Sequence, residues 1–233
     1  MTDLIDTTEM YLRTILELEE EGQTPLRARI SERLGHSGPT VSETVNRMNR
    51  DGLVEIQNGR NLELTAEGRK LATRVMRKHR IAERLLADVI GLEWELIHEE
   101  ACRWEHVMSD EVERKILALL ETRDSSPYGN PIPGLDELGL PENPVFLEGV
   151  VSLTAALAET GAASNLILAR IGEAIQIDPE FLGAMSQHGL VPGASVVADH
   201  QAGRILLTQA GQAEGLALDH DIATHIFVVA AAQ

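Results

Sequence analysis

Four side chains that commonly bind transition metals lie close together in this sequence: His98, Cys102, Glu105 and His106. We predict a helix over residues 93–107, on which offsets of four, seven and eight residues place all four side chains along one stripe. At a rise of ~1.5 Å per residue, the first and last members of the stripe lie ~12 Å apart along the helix axis. One metal ion cannot span that distance, so the spacing predicts parts of two sites, one near His98 and one near His106.

A second pair of candidate ligands, His79 and Glu83, lies four residues apart on a helix predicted over residues 66–89. With the first group, the pair offers thiolate, imidazole and carboxylate ligands, which suit a divalent first-row transition metal better than Ca²⁺ or Mg²⁺. A single cysteine does not resemble a closed structural zinc site. Taken one at a time, these residues have simpler explanations, because a helical cysteine is often a small buried hydrophobe. From the residues alone, a metal centre and an ordinary helix surface both stay open.

The sequence before these candidate ligands predicts three short helices and a hairpin. Apolar residues at helical spacing predict helices over residues 7–21 and 25–34, and Pro39 suits the first turn of a third helix. The alternating stretches Val54–Ile56 and Leu62–Leu64 flank an Asn-Gly pair, which is the strongest short signal for a β-hairpin. Two short helices joined by a tight glycine-containing turn and followed by a hairpin form a winged helix-turn-helix.

The sequence after the candidate ligands changes character. Ser109 can cap a helix over residues 110–121, and a connection rich in proline and glycine runs from Ser125 to about residue 144. Asp178 and the proline that follows it predict the start of one short helix, which ends at Gly189. Short apolar runs predict strands over Ser195–Ala198, Arg204–Leu207 and Ile226–Val229. We therefore predict an α+β chain whose last part is a small β domain.

The charge of the chain is distributed unevenly. The net charge is −17, yet residues 1–84 hold 14 basic and 14 acidic side chains, and residues 85–233 hold 6 basic and 23 acidic ones. Within residues 25–60, six arginines stand against four acids. Any DNA-binding surface is therefore local, and the distribution favours specific or weak DNA binding over general attraction to polyanions.

Composition also predicts where the protein resides. No stretch approaches the ~18 consecutive apolar residues that a membrane-spanning helix needs. The acidic segment 1–6 has no apolar run, so we expect no secretory signal. The chain contains one cysteine, which cannot form an internal disulfide, and we expect a reducing, cytoplasmic location.

Four stretches of the sequence together resemble one known family. They are DTTEMYLRTI at residues 6–15, SGPTVS at 37–42, EACRWEHVMSD at 100–110 and GNPIPG at 129–134. Through them the chain is similar, over residues 1–139, to the diphtheria toxin repressor and iron-dependent regulator family, and the similarity is weak after that. The resemblance implies an N-terminal winged helix-turn-helix, a helical dimerisation domain and a C-terminal SH3-like β domain. The bounds that we expect are 1–72 for the DNA-binding domain, 73–140 for the helical metal-binding and dimerisation domain, 141–150 for a linker, and 151–233 for the SH3-like domain.

The resemblance also implies two metal sites per subunit. The primary, regulatory site would use Met10, Cys102, Glu105 and His106. The ancillary site would use His79, Glu83 and His98, completed by a glutamate and a glutamine from the SH3-like domain. In this sequence Glu173 and Gln176 have the required offset of three residues.

The same resemblance bears on the identity of the metal. The manganese-responsive branch of the family lacks the cysteine found here at Cys102, so this residue, with Met10, favours the iron-responsive branch. We therefore expect Fe(II) at both sites, with Co(II), Ni(II), Mn(II) or Zn(II) able to substitute in vitro. Affinity alone does not select Fe(II), because the Irving–Williams order favours the later metals, and cellular availability would have to decide.

The expected partners are double-stranded operator DNA and a second copy of the chain, with one or two dimers per operator left open. Hydroxyls and arginines suit the positioning of a DNA backbone. Where the family usually has glutamine in the recognition helix, this chain has Glu43, which repels phosphate or accepts a hydrogen bond from cytosine. The expected DNA-binding residues are Arg27, Ser37, Pro39, Thr40, Ser42, Glu43, Thr44, Arg47, Arg50 and Arg60.

Two alternatives remain at this stage. A metal site with an open coordination position could activate water, which would make the chain a metal-dependent hydrolase. The expected ligands saturate both sites, however, and the sequence shows no nucleophile motif, so we expect no enzyme. The other alternative is a repressor of the same family that responds to Mn(II).

Overall fold

The structure is a computed structural model that describes residues 6–158 and 161–230. The N-terminal segment for which we expect no secretory signal falls almost wholly outside the described residues. Within the described part, no helix is both long and apolar enough to cross a membrane.

The first part of the chain is a winged helix-turn-helix, as the sequence predicts. Its elements are α1 (Thr7–Glu20), α2 (Arg27–Leu34), α3 (Gly38–Arg50), β1 (Val54–Gln57) and β2 (Asn61–Leu64). The side chains of Asp6 and Ser37 cap α1 and α3 by accepting hydrogen bonds from backbone N–H groups of the first turn. The strands pair antiparallel, and their turn is formed by Asn58 and Gly59 at φ of 51° and 74°.

The middle of the chain is helical, with two differences from the sequence-based expectation. Helix α4 (Ala66–Arg84) passes into a π-helical turn, Leu85–Ile90, which Gly91 ends in the left-handed conformation. A short 3-10 turn precedes α5 (Ile97–Trp104), and α6 (Asp110–Leu119) follows it. The prediction of a helix over residues 93–107 is therefore too long, because the chain must turn before Ser109, which caps α6.

This early end of α5 changes where two of the expected metal ligands lie. His98 and Cys102 are on the helix, whereas Glu105 and His106 are in the turn that follows it. The turn is tightened by hydrogen bonds from the backbone N–H groups of Val107 and Met108 to the carbonyl oxygen of Trp104. The four side chains consequently do not share one helical stripe.

The last part of the chain contains a six-stranded antiparallel sheet in the order β3-β8-β4-β5-β6-β7. The strands are β3 (Val151–Ser152), β4 (Ala162–Ile171), β5 (Ser195–Gln201), β6 (Arg204–Gln209), β7 (Leu216–Leu218) and β8 (Ile226–Ala230). The accompanying helices are α7 (Leu153–Leu157), α8 (Glu173–Gln176), α9 (Pro179–Gln187) and α10 (His220–Ala223). The strands that the sequence predicts correspond to β5, β6 and β8, and the predicted short helix corresponds to α9.

The central strand β4 has no clear signal in the sequence, and its geometry explains why. Asn165 adopts a positive φ of 55°, and the pairing with β5 shifts register between Ala163 and Leu166. Such a bulge interrupts the alternation of apolar and polar residues that identifies a strand.

Helix α4 connects the two hydrophobic cores of the molecule. Its first half contributes Ala72 and Met76 to the core of the winged helix-turn-helix. Its second half contributes Ile81 and Ala82 to a larger core, which includes α5, α6 and the sheet. Between these two pairs, His79 and Arg80 contact side chains of α1, α5 and α8, so they lie where α1, α4, α5 and the C-terminal part of the chain meet.

Candidate metal centre

Helix α4 places His79 and Glu83 one turn apart at this junction, and both side chains are fully buried. Burial of an imidazole beside a carboxylate is costly unless the pair is neutralised by hydrogen bonds, protons or a metal. The neighbours of these two residues therefore decide what the junction can bind.

Four of the five residues expected in the ancillary site come together here. The Nε2 atom of His79 lies 2.9 Å from Glu83 Oε1 and 3.2 Å from Nδ1 of His98. The Oε2 atom of Glu173, from α8, lies 3.5 Å from each of these two imidazole nitrogens. One ligand atom from each of the four residues lies within 4.8 Å of the others, so the donor set fits a single divalent cation.

The cluster also contains oxygen atoms without partners. Among the described residues, Glu83 Oε2, Glu173 Oε2 and Gln176 Oε1 are buried and accept no hydrogen bond. Gln176 donates through Nε2 to the carbonyl oxygen of Ile171 at 2.7 Å, which leaves only its oxygen available as a ligand. Buried acceptors are rarely left unpaired, and a cation bound by the cluster would pair with the free oxygens of Glu83 and Glu173.

The charges of the cluster agree with this interpretation. Burial would lower the pKa of His98, but the Cys102 thiolate and Glu83 outweigh it and raise the pKa to about 10. Burial would raise the pKa of Glu173, but Arg80, His79 and His98 hold it well below its usual range. Without metal, protons on the imidazoles therefore balance the carboxylates, and a cation would replace those protons.

The residues expected in the primary site are arranged differently. His106 Nε2 lies 3.2 Å from Glu105 Oε1, and its Nδ1 lies 2.7 Å from Oε2 of Glu9, a residue that the sequence did not single out. Cys102 instead groups with His79 and His98. Among the described residues, the ligand atoms of Cys102, Glu105 and His106 are not all within 4.8 Å of one another.

The fourth expected ligand, Met10, is half-buried and packs against the core of the winged helix-turn-helix. The cation closest to Cys102 and Glu105 is instead Arg13, which lies three residues later on α1. Its Nη1 atom donates to Glu105 Oε2 at 2.5 Å and to Cys102 Sγ at 3.4 Å, and lies 3.0 Å from Nδ1 of His79. Burial would raise the pKa of the Cys102 thiol, but Arg13 and the two imidazoles hold it well below its usual range.

Sequence reasoning missed Arg13 because it treats a charged side chain as exposed. The available signal was its spacing from Glu17, since the two lie four residues apart within a stretch of α1 that is otherwise largely apolar. In the structure Arg13 Nε lies 2.9 Å from Glu17 Oε1, and both residues are buried.

A second buried arginine ties the C-terminal part of the chain to this centre. Arg80 is fully buried, and its Nη2 lies 3.0 Å from Glu173 Oε1 and 2.6 Å from Glu20 Oε2 on α1. Its Nη1 donates to the carbonyl oxygen of Pro131 at 2.6 Å. The guanidinium thus holds one oxygen of Glu173 and leaves the other directed at the two histidines.

Most of the expected DNA-binding residues lie at the start and along α3, whereas Arg27 begins α2 and Arg60 lies in the turn between β1 and β2. Ser37, Pro39, Thr40, Glu43, Arg47, Arg50 and Arg60 are exposed, whereas Arg27 and Ser42 are half-buried. Arg27 donates to the side chain of Asn46 at 3.3 Å. Thr44 differs from the others because only 7% of its surface is exposed and it faces the core, which argues against a direct DNA contact.

Comparisons with known families match this organisation. The model described as "Iron dependent repressor, N-terminal DNA binding domain" matches residues 3–62. The model described as "Iron dependent repressor, metal binding and dimerisation domain" matches residues 65–134. The second match covers α4, α5 and α6, and with them six of the nine expected metal ligands: His79, Glu83, His98, Cys102, Glu105 and His106.

Individual relatives are similar over nearly the whole chain. A protein of Corynebacterium glutamicum named diphtheria toxin repressor is 54% identical over 211 residues, which cover 91% of each chain. A protein of Mycobacterium tuberculosis named iron-dependent repressor IdeR is 51% identical over 224 residues, which cover 96% of each chain.

Solved structures with the same fold are more distant in sequence. A manganese-dependent transcriptional repressor in complex with manganese has a TM-score of 0.79 at 28% identity, covering 96% of this chain and all of that one. The crystal structure of IdeR from T. acidophilum has a TM-score of 0.75 at 27% identity, covering 97% of this chain and 98% of that one.

Proposed function

Because the chain belongs to the iron-dependent repressor family, we propose that it represses transcription by binding operator DNA when Fe(II) is bound. Metal-dependent repression is the activity of the family, and the buried group of His79, Glu83, His98 and Glu173 is the single observation that carries it to this chain. The relatives are named as repressors, so we propose no enzymatic activity and a cytoplasmic location.

The proposed domains follow the expected bounds: 1–72 for DNA binding, 73–140 for metal binding and dimerisation, 141–150 for a linker and 151–233 for the SH3-like domain. The two proposed sites are a primary site of Met10, Cys102, Glu105 and His106 and an ancillary site of His79, Glu83, His98, Glu173 and Gln176. A bound divalent cation supplies positive charge that replaces protons on the ligands and links side chains of separate elements.

Two observations favour iron over manganese. Cys102 provides a sulfur ligand, and a soft ligand suits Fe(II) better than Mn(II). The relatives above 50% identity are named for iron or diphtheria toxin repression, whereas the manganese-dependent structure shares only 28% of its residues with this chain. Co(II), Ni(II), Mn(II) or Zn(II) are proposed as substitutes in vitro.

The location of the sites suggests how they control the DNA-binding domain. Met10 is on α1, which packs beneath the helix-turn-helix, while Cys102, Glu105 and His106 are on and after α5. A primary site that joins these residues fixes the position of α1, and the recognition helices of a dimer must enter major grooves ~34 Å apart. The equilibrium in question is between arrangements of the dimer that do and do not fit the two grooves. Moving it from 1:99 to 99:1 needs ~5.5 kcal/mol of differential metal binding, which several metal–ligand bonds can supply.

The exposed residues of α3 are proposed to read the operator. Ser37, Pro39 and Thr40 begin this helix, and Arg47, Arg50 and Arg60 supply positive charge for phosphates. Glu43 is exposed on the same face, so we propose that it alters the base preference relative to relatives with glutamine.

The proposal is tested by selecting duplexes from a random-sequence pool with the Fe(II)-loaded protein under anaerobic conditions. We expect enrichment of a palindromic sequence, with binding lost when a chelator is added. Enrichment of no common sequence, or binding that persists in the chelator, would contradict the proposal. Size measurements on the selected complex distinguish one dimer per operator from two.

A further inference from the structure

We propose that Arg13 is a built-in cation that holds the primary site in the metal-free protein and must leave before a metal can bind there. This inference rests on the proposed function, since it concerns two ligands of the proposed primary site. In this proposal Arg13 competes with the metal for the same ligands and so favours the metal-free state.

The first observation is the position of the guanidinium among the expected ligands. Arg13 Nη1 contacts Glu105 Oε2, Cys102 Sγ and His79 Nδ1 at 2.5, 3.4 and 3.0 Å, although these residues belong to α4, α5 and the turn after α5. Glu105 is buried and Cys102 is half-buried, so a charge on either side chain is compensated by partners inside the protein more than by water. One guanidinium nitrogen therefore contacts two expected ligands of the primary site and supplies positive charge beside both.

The second observation is a cavity beside Arg13 that can receive its guanidinium when a metal binds. Its Nε already pairs with Glu17, one turn further along α1, and this pair does not depend on Cys102 or Glu105. A cavity of about 230 Å³ lies beside the pair and is lined by Arg13, Glu17, Cys102, His98 and Glu173. The guanidinium can swing into this cavity while keeping Glu17, and the same opening gives small ions access to Cys102.

The third observation is the relation of Arg13 to Met10. The two residues are three apart on α1, so they lie on neighbouring positions of one helix face. A small rotation or shift of α1 that withdraws Arg13 from Cys102 therefore also moves Met10 relative to it. The exchange of a guanidinium for a metal is thereby linked to the position of α1, which belongs to the DNA-binding domain.

The test measures metal binding directly rather than DNA binding. Co(II) is titrated into wild type and Arg13→Leu in competition with a chelator, and the charge-transfer absorbance of a cobalt–thiolate bond reports the site that contains Cys102. If Arg13 occupies the site in nine of ten metal-free molecules, its removal strengthens the apparent Co(II) affinity about tenfold. The same substitution lowers the denaturant midpoint of the metal-free protein, because Glu17, Cys102 and Glu105 each lose a positively charged partner.

Arg33→Met is the matched control. Arg33 is also largely buried and pairs with Glu17 at 3.4 Å, but it also pairs with Glu21 and does not contact Cys102. We expect it to lower stability without strengthening Co(II) binding at the thiolate. If Arg13→Leu fails to fold, Arg13→Gln gives the same comparison with a neutral side chain that keeps a donor.

The outcomes separate this inference from the proposed function. Thiolate absorbance in wild type with unchanged or weaker Co(II) affinity in the Arg13 variants would overturn the role of Arg13 and leave the primary site intact. Absence of thiolate absorbance in wild type and in both Arg13 variants would overturn the primary site itself, and this inference with it. Tighter binding in the Arg13 variants but not in Arg33→Met supports the proposal.

Discussion

The imidazole of His79 contacts Glu105 through Nδ1 at 2.7 Å while its Nε2 faces Glu83 at 2.9 Å. Glu105 is an expected ligand of the primary site, and Glu83 is an expected ligand of the ancillary site. One fully buried ring therefore lies between the two proposed metal sites. As proposed, the two sites are neighbours joined through this side chain, so we expect that two ions do not bind independently.

The first prediction follows from this shared ring. His79→Ala should weaken metal binding at both sites, since it removes a ligand from one and a hydrogen-bond partner of Glu105 from the other. Loss of an outer partner of a metal ligand costs about 10- to 100-fold in affinity. Calorimetric titration with Co(II) measures both sites. Glu83→Gln is the control and should weaken only the ancillary site; an unchanged thiolate-containing site in His79→Ala would show that the ring does not join them.

The second prediction concerns the buried arginine that holds Glu173. Arg80→Met leaves Glu20 and Glu173 without their shared cation, and removal of one partner from a buried ion pair costs about 3–5 kcal/mol. The free energy of unfolding of the metal-free protein, measured in urea, should fall by that amount. Arg204→Met is the control, because Arg204 pairs with Asp219 on the surface and should change stability by less than about 1 kcal/mol. Equal effects of the two substitutions would refute the structural role of Arg80.

The third prediction is a pH dependence of the metal-free protein. Although burial opposes it, Cys102 and Glu83 raise the pKa of His98 to about 10 in the folded state, above its usual value of 6.5. The protonated form is therefore favoured by folding, so its contribution to stability is complete below pH ~6.5 and is lost as the pH rises toward 10. Urea unfolding between these pH values should show falling stability in wild type and a flatter profile in His98→Gln. Equal slopes in the two proteins would rule out this role of His98.

The fourth prediction concerns contacts with the DNA backbone. Arg47→Ala should weaken binding to all duplexes in similar proportion, and the slope of log affinity against log salt should become shallower by about 1. Arg74 is the control, because it is an arginine on α4 that pairs with Glu137, away from α3. Arg74→Ala should leave the salt slope unchanged. If Arg47→Ala instead changes the preferred sequence without altering the slope, Arg47 contacts bases and not phosphate.

The contrast between sequence and structure at this centre has physical causes. The winged helix-turn-helix was predictable because caps, helical spacing and an Asn-Gly turn are local signals that agree with one another. The C-terminal end of α5 was not predictable in this way, because the turn at Glu105 and His106 depends on where α6 begins. The spacing of Arg13 from Glu17 signals a paired arginine, but its contacts with Cys102 and Glu105 depend on long-range packing of α1 against α4 and α5. The family resemblance predicts Glu173 through its three-residue offset from Gln176. It does not predict Arg80, whose contact with Glu173 Oε1 orients that carboxylate.

The most direct test of the account compares Fe(II)-dependent DNA binding of wild type and Cys102→Ala by fluorescence anisotropy under anaerobic conditions. The duplex is the sequence selected with the loaded protein, and circular dichroism confirms that the variant is folded. We expect wild type to bind only when Fe(II) is added, and Cys102→Ala to lose that dependence together with its binding. A Cys102→Ala protein that still binds the duplex in proportion to added Fe(II) would contradict the central claim that Cys102 belongs to the regulatory metal site.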